Sequence, residues 1–301
     1  MKIIECIPNF SEGRNRSVVE AIVDAAAAIH GIRILDYSMD EDHNRSVLTF
    51  IGSPEAVEAA AALACDKAVQ LIDMSTHTGI HPRIGAVDVV PFVPLQDAVI
   101  QDAVRLARRF GRAFAKRNNV PVYFYGAAAL KPERSILSAI RRGEYETLRN
   151  KMSDPMWRPD AGPADFNARC GATAVGARKP LIAFNINLKS CDIEAAHNIA
   201  RSVRQSGGGL SHVQALGLHL KSRNIVQISM NLTDFETTSL CKVFDAVKEK
   251  AAAFGIDVLE SELIGLIPEA ALEGATAEYL QICNFGREKI IEQHIKNKNY
   301  E

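Results

Sequence analysis

The order in which apolar periodicity changes along this chain constrains its fold more than any single motif does. Short apolar runs of period two alternate with longer stretches of period near 3.6, and the first half reads strand, helix, strand, strand, helix, strand. KIIECIPNF is a strand ending near Pro8, and SVVEAIVDAAAAIH is an amphipathic helix stopped by Gly31. IRILDYS and RSVLTFIG are strands on either side of the polar loop MDEDHN. Ser53 caps the second helix, with Pro54 at its first position and Glu55 in its first turn. The strand AVDVVPFVP completes the set. The same order returns after residue 180: LIAFNINL, a helix over about 192–205, HVQALGLHL and IVQISMNL as a hairpin turning at KSRN, a helix over about 237–254, and IDVLESEL.

Two such series predict an α+β fold. Two tandem α/β subdomains, each a mixed β-sheet covered by helices in ferredoxin-like βαββαβ order, account for the pattern. The seam falls near 171–180, dividing the chain into 1–175 and 176–301. A cleft between two such halves is a usual place for a small ligand. The first half adds a helix over about 97–118, the strand VPVYFYG and a short helix over about 132–142. From 143 to 171 the periodicity dissolves into Asp154-Pro155, Arg158-Pro159 and Gly162-Pro163, with the chain's one tryptophan between them. A stretch of that length is either a linker or functional. REKIIEQHIKNKNY is an amphipathic final helix that could pack on either half or on a second copy in a homodimer.

A formal net charge of −1 speaks against a large non-specific nucleic-acid surface. The six cysteines form no C-x-x-C pair, which fits reduced thiols in a cytoplasmic protein better than a disulfide framework or a zinc site. Glu5 interrupts the region where a secretory signal needs an apolar core, and no apolar run is long enough to span a membrane.

The chemistry concentrates in THTGIHPRIGAVDVVPF. His77 and His81 are four residues apart and Asp88 follows, a spacing that on a helix would suit a metal-dependent hydrolase. Gly79 between the histidines and Pro82 after them oppose a helix, and the glutamate of an H-E-x-x-H motif is missing. A histidine on a loop held by a rigid strand suits general acid–base work, because its ordinary pKa lies near neutrality. A loop histidine with a purely structural partner is the competing reading. GGGL at Gly207 follows a helix instead of opening one, so it is a flexible loop and not a phosphate cradle.

ECIPNFSEGRN, DHNRSVLTFIG, LIDMSTHTGIHPRIGAVDVVPFVP, PVYFYG, RRGEYE and GATAVGARKPLIAFNINL together resemble the glutamate formimidoyltransferase family, in order and across nearly the whole chain. The resemblance is to the free-standing bacterial type without a cyclodeaminase domain. It implies transfer of a formimino group from N-formimidoyl-L-glutamate to N5 of tetrahydrofolate, a step of histidine breakdown. The co-substrate is the reduced folate, and neither metal, nucleic acid nor membrane is involved. It also implies a tunnel between the two subdomains and places the catalytic histidine at His81, not His77. The folate-contacting segment maps onto Gly162, Pro163, Ala164, Asp165, Phe166, Asn167, Ala168, Arg169, Cys170 and Gly171. Two departures from the mammalian pattern stand out: Ser38 occupies the position of a catalytic acidic residue, and Cys170 replaces an aromatic one. Asp40, with Asp36 and Asp42 as neighbours, is the carboxylate proposed to take over and to help hold His81 protonated.

Substrate glutamate and the glutamyl tail of folate call for cationic forks. Arg45, Arg83, Arg169 and Arg178 lie in or beside the matching blocks. Asn9, Asn185 and Asn187 stand at apparent strand ends, where a polar side chain either faces a cleft or forms a turn. Formyl transfer on the same site, or folate binding without turnover, remain alternatives.

Overall fold

The computed structural model describes residues 1–41, 43–79, 81–220, 223–283 and 285–296. The chain divides into two compact units after Arg178. In the first, β1 (Ile4–Cys6) and β2 (Asn9–Phe10) form one strand line interrupted at Ile7 and Pro8. α1 (Arg16–Ala27), β3 (Ile32–Asp40), β4 (Arg45–Gly52), α2 (Pro54–Leu71) and β5 (Val87–Pro94) follow. β4 pairs antiparallel with β3 on one side and with β1 and β2 on the other, and β5 lies beyond β1 and β2. The first strand thus sits between the fourth and the third, the arrangement the βαββαβ pattern predicts.

The first unit then extends this sheet. α3 (Ile100–Asn118) crosses to β6 (Val122–Gly126), and after α4 (Leu137–Arg141) and α5 (Glu144–Ser153) the chain returns as β7 (Thr173–Ala177). β7 inserts between β5 and β6 and runs parallel to both. The sequence expectation missed this strand, and a seam at 175 would cut through it. A central parallel strand is buried on both faces, and TAVGA is short, made mostly of small residues and without polar–apolar alternation. Gly176 is required there, because a Cβ at that position would come within 2.4 Å of the Tyr125 ring.

Alternate residues of these strands serve different layers. Phe92, Val122, Phe124 and Val175 pack with α2 and α3 in the main core. Val89, Tyr123, Tyr125 and Ala174 point the other way, onto Ile140, Leu148, Met152 and Trp157. Residues 143–171 are therefore not a structureless connection. They contain α5 and a 3₁₀ turn at Pro155–Trp157 and cover the second face of the sheet. The expected helix over 132–142 is a 3₁₀ turn, Pro132–Arg134, followed by the short α4. Arg134 organises the region: it is 1% exposed and donates to Asp160 Oδ1 at 2.6 Å and to the Met156 and Arg158 carbonyls at 2.5 and 2.7 Å. Its guanidinium also lies over the Tyr123 and Trp157 rings, and Asp160 Oδ2 accepts from the Phe124 amide. These partners are distant in sequence, so no local period announces them.

The second unit has β8 (Ile182–Leu188), α6 (Ile193–Val203), β9 (Val213–Leu220), β10 (Ile225–Leu232), α7 (Leu240–Ala252) and β11 (Val258–Ile264). Its sheet order, β11-β8-β10-β9, is again the first strand between the fourth and the third. β9 and β10 form the expected hairpin; Lys221 and Ser222 in its turn lie outside the described residues. The final helix is short, α8 (Ile291–Lys296), and residues 297–301 lie outside the described residues. Among the described residues no helix is long and apolar enough to cross a membrane.

Replacing Arg134 by Met should strand Asp160 in the interior and lower the unfolding free energy by about 3–5 kcal/mol. Urea denaturation of the variant reads this directly; an unchanged midpoint would contradict the role of this pair.

Candidate active site

Three loops of the first unit meet at the end of the sheet where β3 turns into β4. Asn44 holds them together from a left-handed backbone conformation (φ 48°), which asparagine tolerates better than most residues. Its side chain accepts from the Gly13 amide at 2.9 Å and donates to the Thr78 carbonyl at 2.9 Å. Its own carbonyl lies 3.0 Å from His77 Nε2. Gly79 lets the histidine loop come this close: a Cβ there would lie 2.4 Å from the His43 carbonyl oxygen.

His77 is a fastener. Arg83 Nε–H donates to its Nδ1 at 3.2 Å, so the neutral ring must carry its proton on Nε2 and donate it to the Asn44 carbonyl. Burial and the nearby Arg83 lower its pKa, consistent with that neutral form. Arg83 in turn is 5% exposed and spends its fork on Glu144 and Glu146, at 2.9 and 2.5 Å. It holds α5 to the histidine loop and has no fork left for a substrate carboxylate. Asp88, the third member of the hydrolase reading, accepts the Ile84 amide at 2.9 Å and an ion pair from Arg141 of α4. Its partners make it an anchor for the loop and for Arg141, and His77 and Asp88 are both engaged in protein contacts.

His81 is different. It lines a small pocket with Ser11, His43, Asn44, Arg45, Arg83 and Asp88, and its Nδ1 is buried without a hydrogen-bond partner among the described residues. The His43 ring lies 5.7 Å away, centroid to centroid. Burial, and then the charges of Arg45, Arg141 and His43, lower the His81 pKa to about 2. The shift runs against the expectation that a carboxylate helps hold His81 protonated: although Asp88 lines the same pocket, burial and the cations dominate and favour the neutral imidazole.

Asp40 lies opposite Arg45 at the hairpin end and pairs with His43, with 3.2 Å between Oδ2 and Nδ1. It also accepts the His43 amide at 2.8 Å, and its charge acts on Arg45. Asp36 and Ser38 are exposed higher on β3, and Asp42 lies outside the described residues. Arg45 donates to Asn9 Oδ1, and burial lowers its pKa to about 10. Of Arg45, Arg83 and Arg141, only Arg45 lacks a hydrogen-bonded carboxylate partner among the described residues.

The segment 162–171 leads back to this corner. The Arg169 carbonyl accepts the Met74 amide at 2.8 Å, the Cys170 carbonyl accepts the Ala86 amide at 2.9 Å, and Gly171 bridges to Gly85. Gly162 takes a φ of 85° where a Cβ would meet the Val120 carbonyl oxygen at 2.6 Å. Pro163 is half-buried, and Ala164, Asp165, Ala168 and Arg169 are exposed. Phe166 packs on Tyr145 beneath Arg149, and Asn167 accepts the Cys170 amide. Cys170 is 4% exposed within the main core, so its side chain is packing and not a stacking surface. Arg169 donates to the Gln70 carbonyl at 2.7 Å. Arg178 lies at the far end of β7, within hydrogen-bonding reach of Tyr125. Asn185 and Asn187 belong to the second unit, where Asn187 is fully buried among Glu260, Glu262 and Gln227.

Sequence reasoning missed His43, Asn44 and Arg141. The first two sit in DHNRS, where an asparagine at a tight strand turn was a usable signal. Arg141 reaches the site only through the tertiary position of α4.

Two ferredoxin-like units, the first holding a half-buried histidine whose Nδ1 has no partner among the described residues, define an α+β protein with a polar pocket at one end of its first sheet. Residues 3–178 match the family model "Formiminotransferase domain, N-terminal subdomain", and residues 183–296 match "Formiminotransferase domain". The chain belongs to this formiminotransferase family. It is 42% identical to a glutamate formimidoyltransferase from Streptococcus pyogenes, over 98% of this chain and 99% of the relative. It is 44% identical to one from Thermoplasma acidophilum, over 98% of each chain. It is also 46% identical to the formimidoyltransferase-cyclodeaminase of Mus musculus, over 92% of this chain and 52% of that protein.

A histidine whose folded pKa lies below its unfolded value loses stability for the fold as pH drops through that interval, because the unfolded chain binds the proton first. His81 should thus stay neutral in the folded protein at pH 5, and His81→Gln should be less acid-sensitive than wild type between pH 6.5 and pH 4. Imidazole NMR shifts and denaturation midpoints at both pH values check this.

Proposed function

We propose that this chain transfers the formimino group of N-formimidoyl-L-glutamate to N5 of tetrahydrofolate, releasing 5-formimidoyltetrahydrofolate and glutamate. One observation carries the mechanism: a ring nitrogen of His81 is unpartnered among the described residues, in a pocket lined by Arg45 and Arg83, where burial and cations lower its pKa and favour the neutral form. The family membership and the shared activity of the full-length relatives support the substrate pair.

The amidine of the donor is protonated at neutral pH, so its carbon is already electrophilic. N5 of tetrahydrofolate attacks it, forming an N–C bond and a tetrahedral adduct with a proton on N5. His81 takes that proton as general base. It then returns the proton to the glutamate nitrogen, whose bond to the central carbon breaks as the amidine re-forms on the folate. The substrate brings its own positive charge, so the chemistry asks for no metal.

The cations around His81 keep the ring neutral before attack, oppose its taking the N5 proton and favour the return of that proton to the leaving nitrogen. Arg45 is the fork for a donor carboxylate, because among the described residues its side chain hydrogen-bonds only to Asn9. A carboxylate bound there also weakens the field that opposes protonated His81. The segment 162–171 borders the same corner, which suits it to the part of the folate beyond the pterin.

His81→Ala should lower kcat by about 10²- to 10⁴-fold, the usual contribution of a general acid–base group, with little change in tetrahydrofolate affinity. Wild-type turnover should be unchanged by EDTA. Arg45→Gln should raise KM for N-formimidoyl-glutamate by about tenfold or more, the loss of one charge-assisted contact, and leave KM for tetrahydrofolate near wild type. Steady-state kinetics with each substrate varied separate these outcomes.

A further inference from the structure

A proton taken from N5 must be held until the glutamate nitrogen receives it. His81 is a poor place to hold it, because burial and the neighbouring cations disfavour an imidazolium there. A second imidazole lines the same pocket. The His43 ring centroid lies 5.7 Å from that of His81, with the two planes at 52°. That separation lets the rings exchange a proton directly or through one water.

Local geometry fixes the protonation pattern of His43. It sits in the turn between β3 and β4, three residues after Asp40. Asp40 Oδ1 accepts the His43 amide at 2.8 Å, and Oδ2 lies 3.2 Å from His43 Nδ1. An ionised carboxylate only accepts, so Nδ1 carries the proton of the neutral ring and Nε2 is its acceptor. When Nε2 takes a proton, the resulting imidazolium stays beside a carboxylate. The bond from the amide alone would close such a turn, as an aspartate commonly does. The contact at Nδ1 and the placement of the ring beside His81 are what the turn does not require. Arg45, the fork proposed for the donor, lies opposite Asp40 across the hairpin and lines the same pocket. A glutamate held there has its nitrogen on the same side of the site as His43.

We propose that His43, oriented by Asp40, is a second proton carrier of the site and delivers the proton to the leaving glutamate nitrogen. The inference rests on the transfer proposed above and gives its second step a route. The N5–H bond breaks as the N–H bond of His81 forms. That bond breaks in turn as the proton passes to His43 Nε2. His43 then gives it to the glutamate nitrogen while the bond from that nitrogen to the central carbon breaks. The bonding electrons stay on the nitrogen, and the amidine re-forms on the folate. Both rings end neutral, and no proton is gained or lost over the cycle. Asp40 touches no reacting atom and is a positioning residue.

The test removes the need for the second proton transfer. N-formimidoyl-glutamate is compared with the thioimidate of 2-mercaptoglutarate, which carries the same two carboxylates and the same transferred carbon. Its sulfur departs as a thiolate and needs no proton. Single-turnover transfer to tetrahydrofolate is followed by folate absorbance. His43→Gln should slow transfer from N-formimidoyl-glutamate by about 10²-fold or more and transfer from the thioimidate by less than about threefold. His81→Ala should slow both, because N5 loses a proton in either reaction. Asp40→Asn keeps the imidazole and should slow only the glutamate donor, by about tenfold; it applies the same criterion if His43→Gln does not fold. Equal slowing with both donors would mark a structural role and overturn the proposal, as would undiminished transfer from N-formimidoyl-glutamate by His43→Gln. Wild type that transfers from neither donor refutes the transfer reading beneath it.

Discussion

Charge around one imidazole governs the site. Arg45 and Arg141 approach His81 from different elements, β4 and α4, and with burial they keep the ring neutral. Much of the first unit serves to hold those two guanidinium groups where they are. Asp88 anchors Arg141, and Asn9 anchors Arg45. α4 owes its position to the layer built on Arg134 and Asp160, and Lys151 reinforces it by donating to the Ala139 and Ile140 carbonyls at 2.9 and 2.6 Å. A structural layer remote from the pocket thus contributes, through Arg141, to the proton affinity of His81, the base proposed above.

The same corner shows how polar side chains divide between support and reaction. His77 and His81 are four residues apart, yet one has both ring nitrogens engaged and the other leaves a nitrogen open. Arg83 and Arg45 differ in the same way: one is saturated by two glutamates, while the other holds only an amide oxygen. Residue type alone does not separate these roles. The count of satisfied hydrogen bonds does.

What was legible in the sequence follows from what is local. The doubled βαββαβ order, the α2 cap at Ser53 and the β9–β10 hairpin rest on period, capping and turn chemistry, and all three are present. The loop around His81 was legible because Gly79 and Pro82 oppose a helix there; the choice of His81 over His77 came from the family resemblance. β7 was not, because a small-residue strand buried on both faces has no alternation to read. The layer at 132–166 was not, because its order depends on contacts such as Arg134 with Asp160. The direction of the His81 pKa shift was misjudged for a related reason: the candidate carboxylate Asp40 pairs with His43, and the cations Arg45 and Arg141 reach His81 from elements far from it in sequence.

The most direct test of the central claim is chemical rescue. His81→Ala would be assayed for formimino transfer with a series of added imidazoles of graded basicity, at fixed pH and saturating substrates. If His81 is a neutral base that accepts the N5 proton, activity should return in proportion to the neutral form of the added imidazole and should rise with its basicity. A variant that folds and binds tetrahydrofolate yet gains nothing from any imidazole, or that retains wild-type kcat without one, would contradict the account.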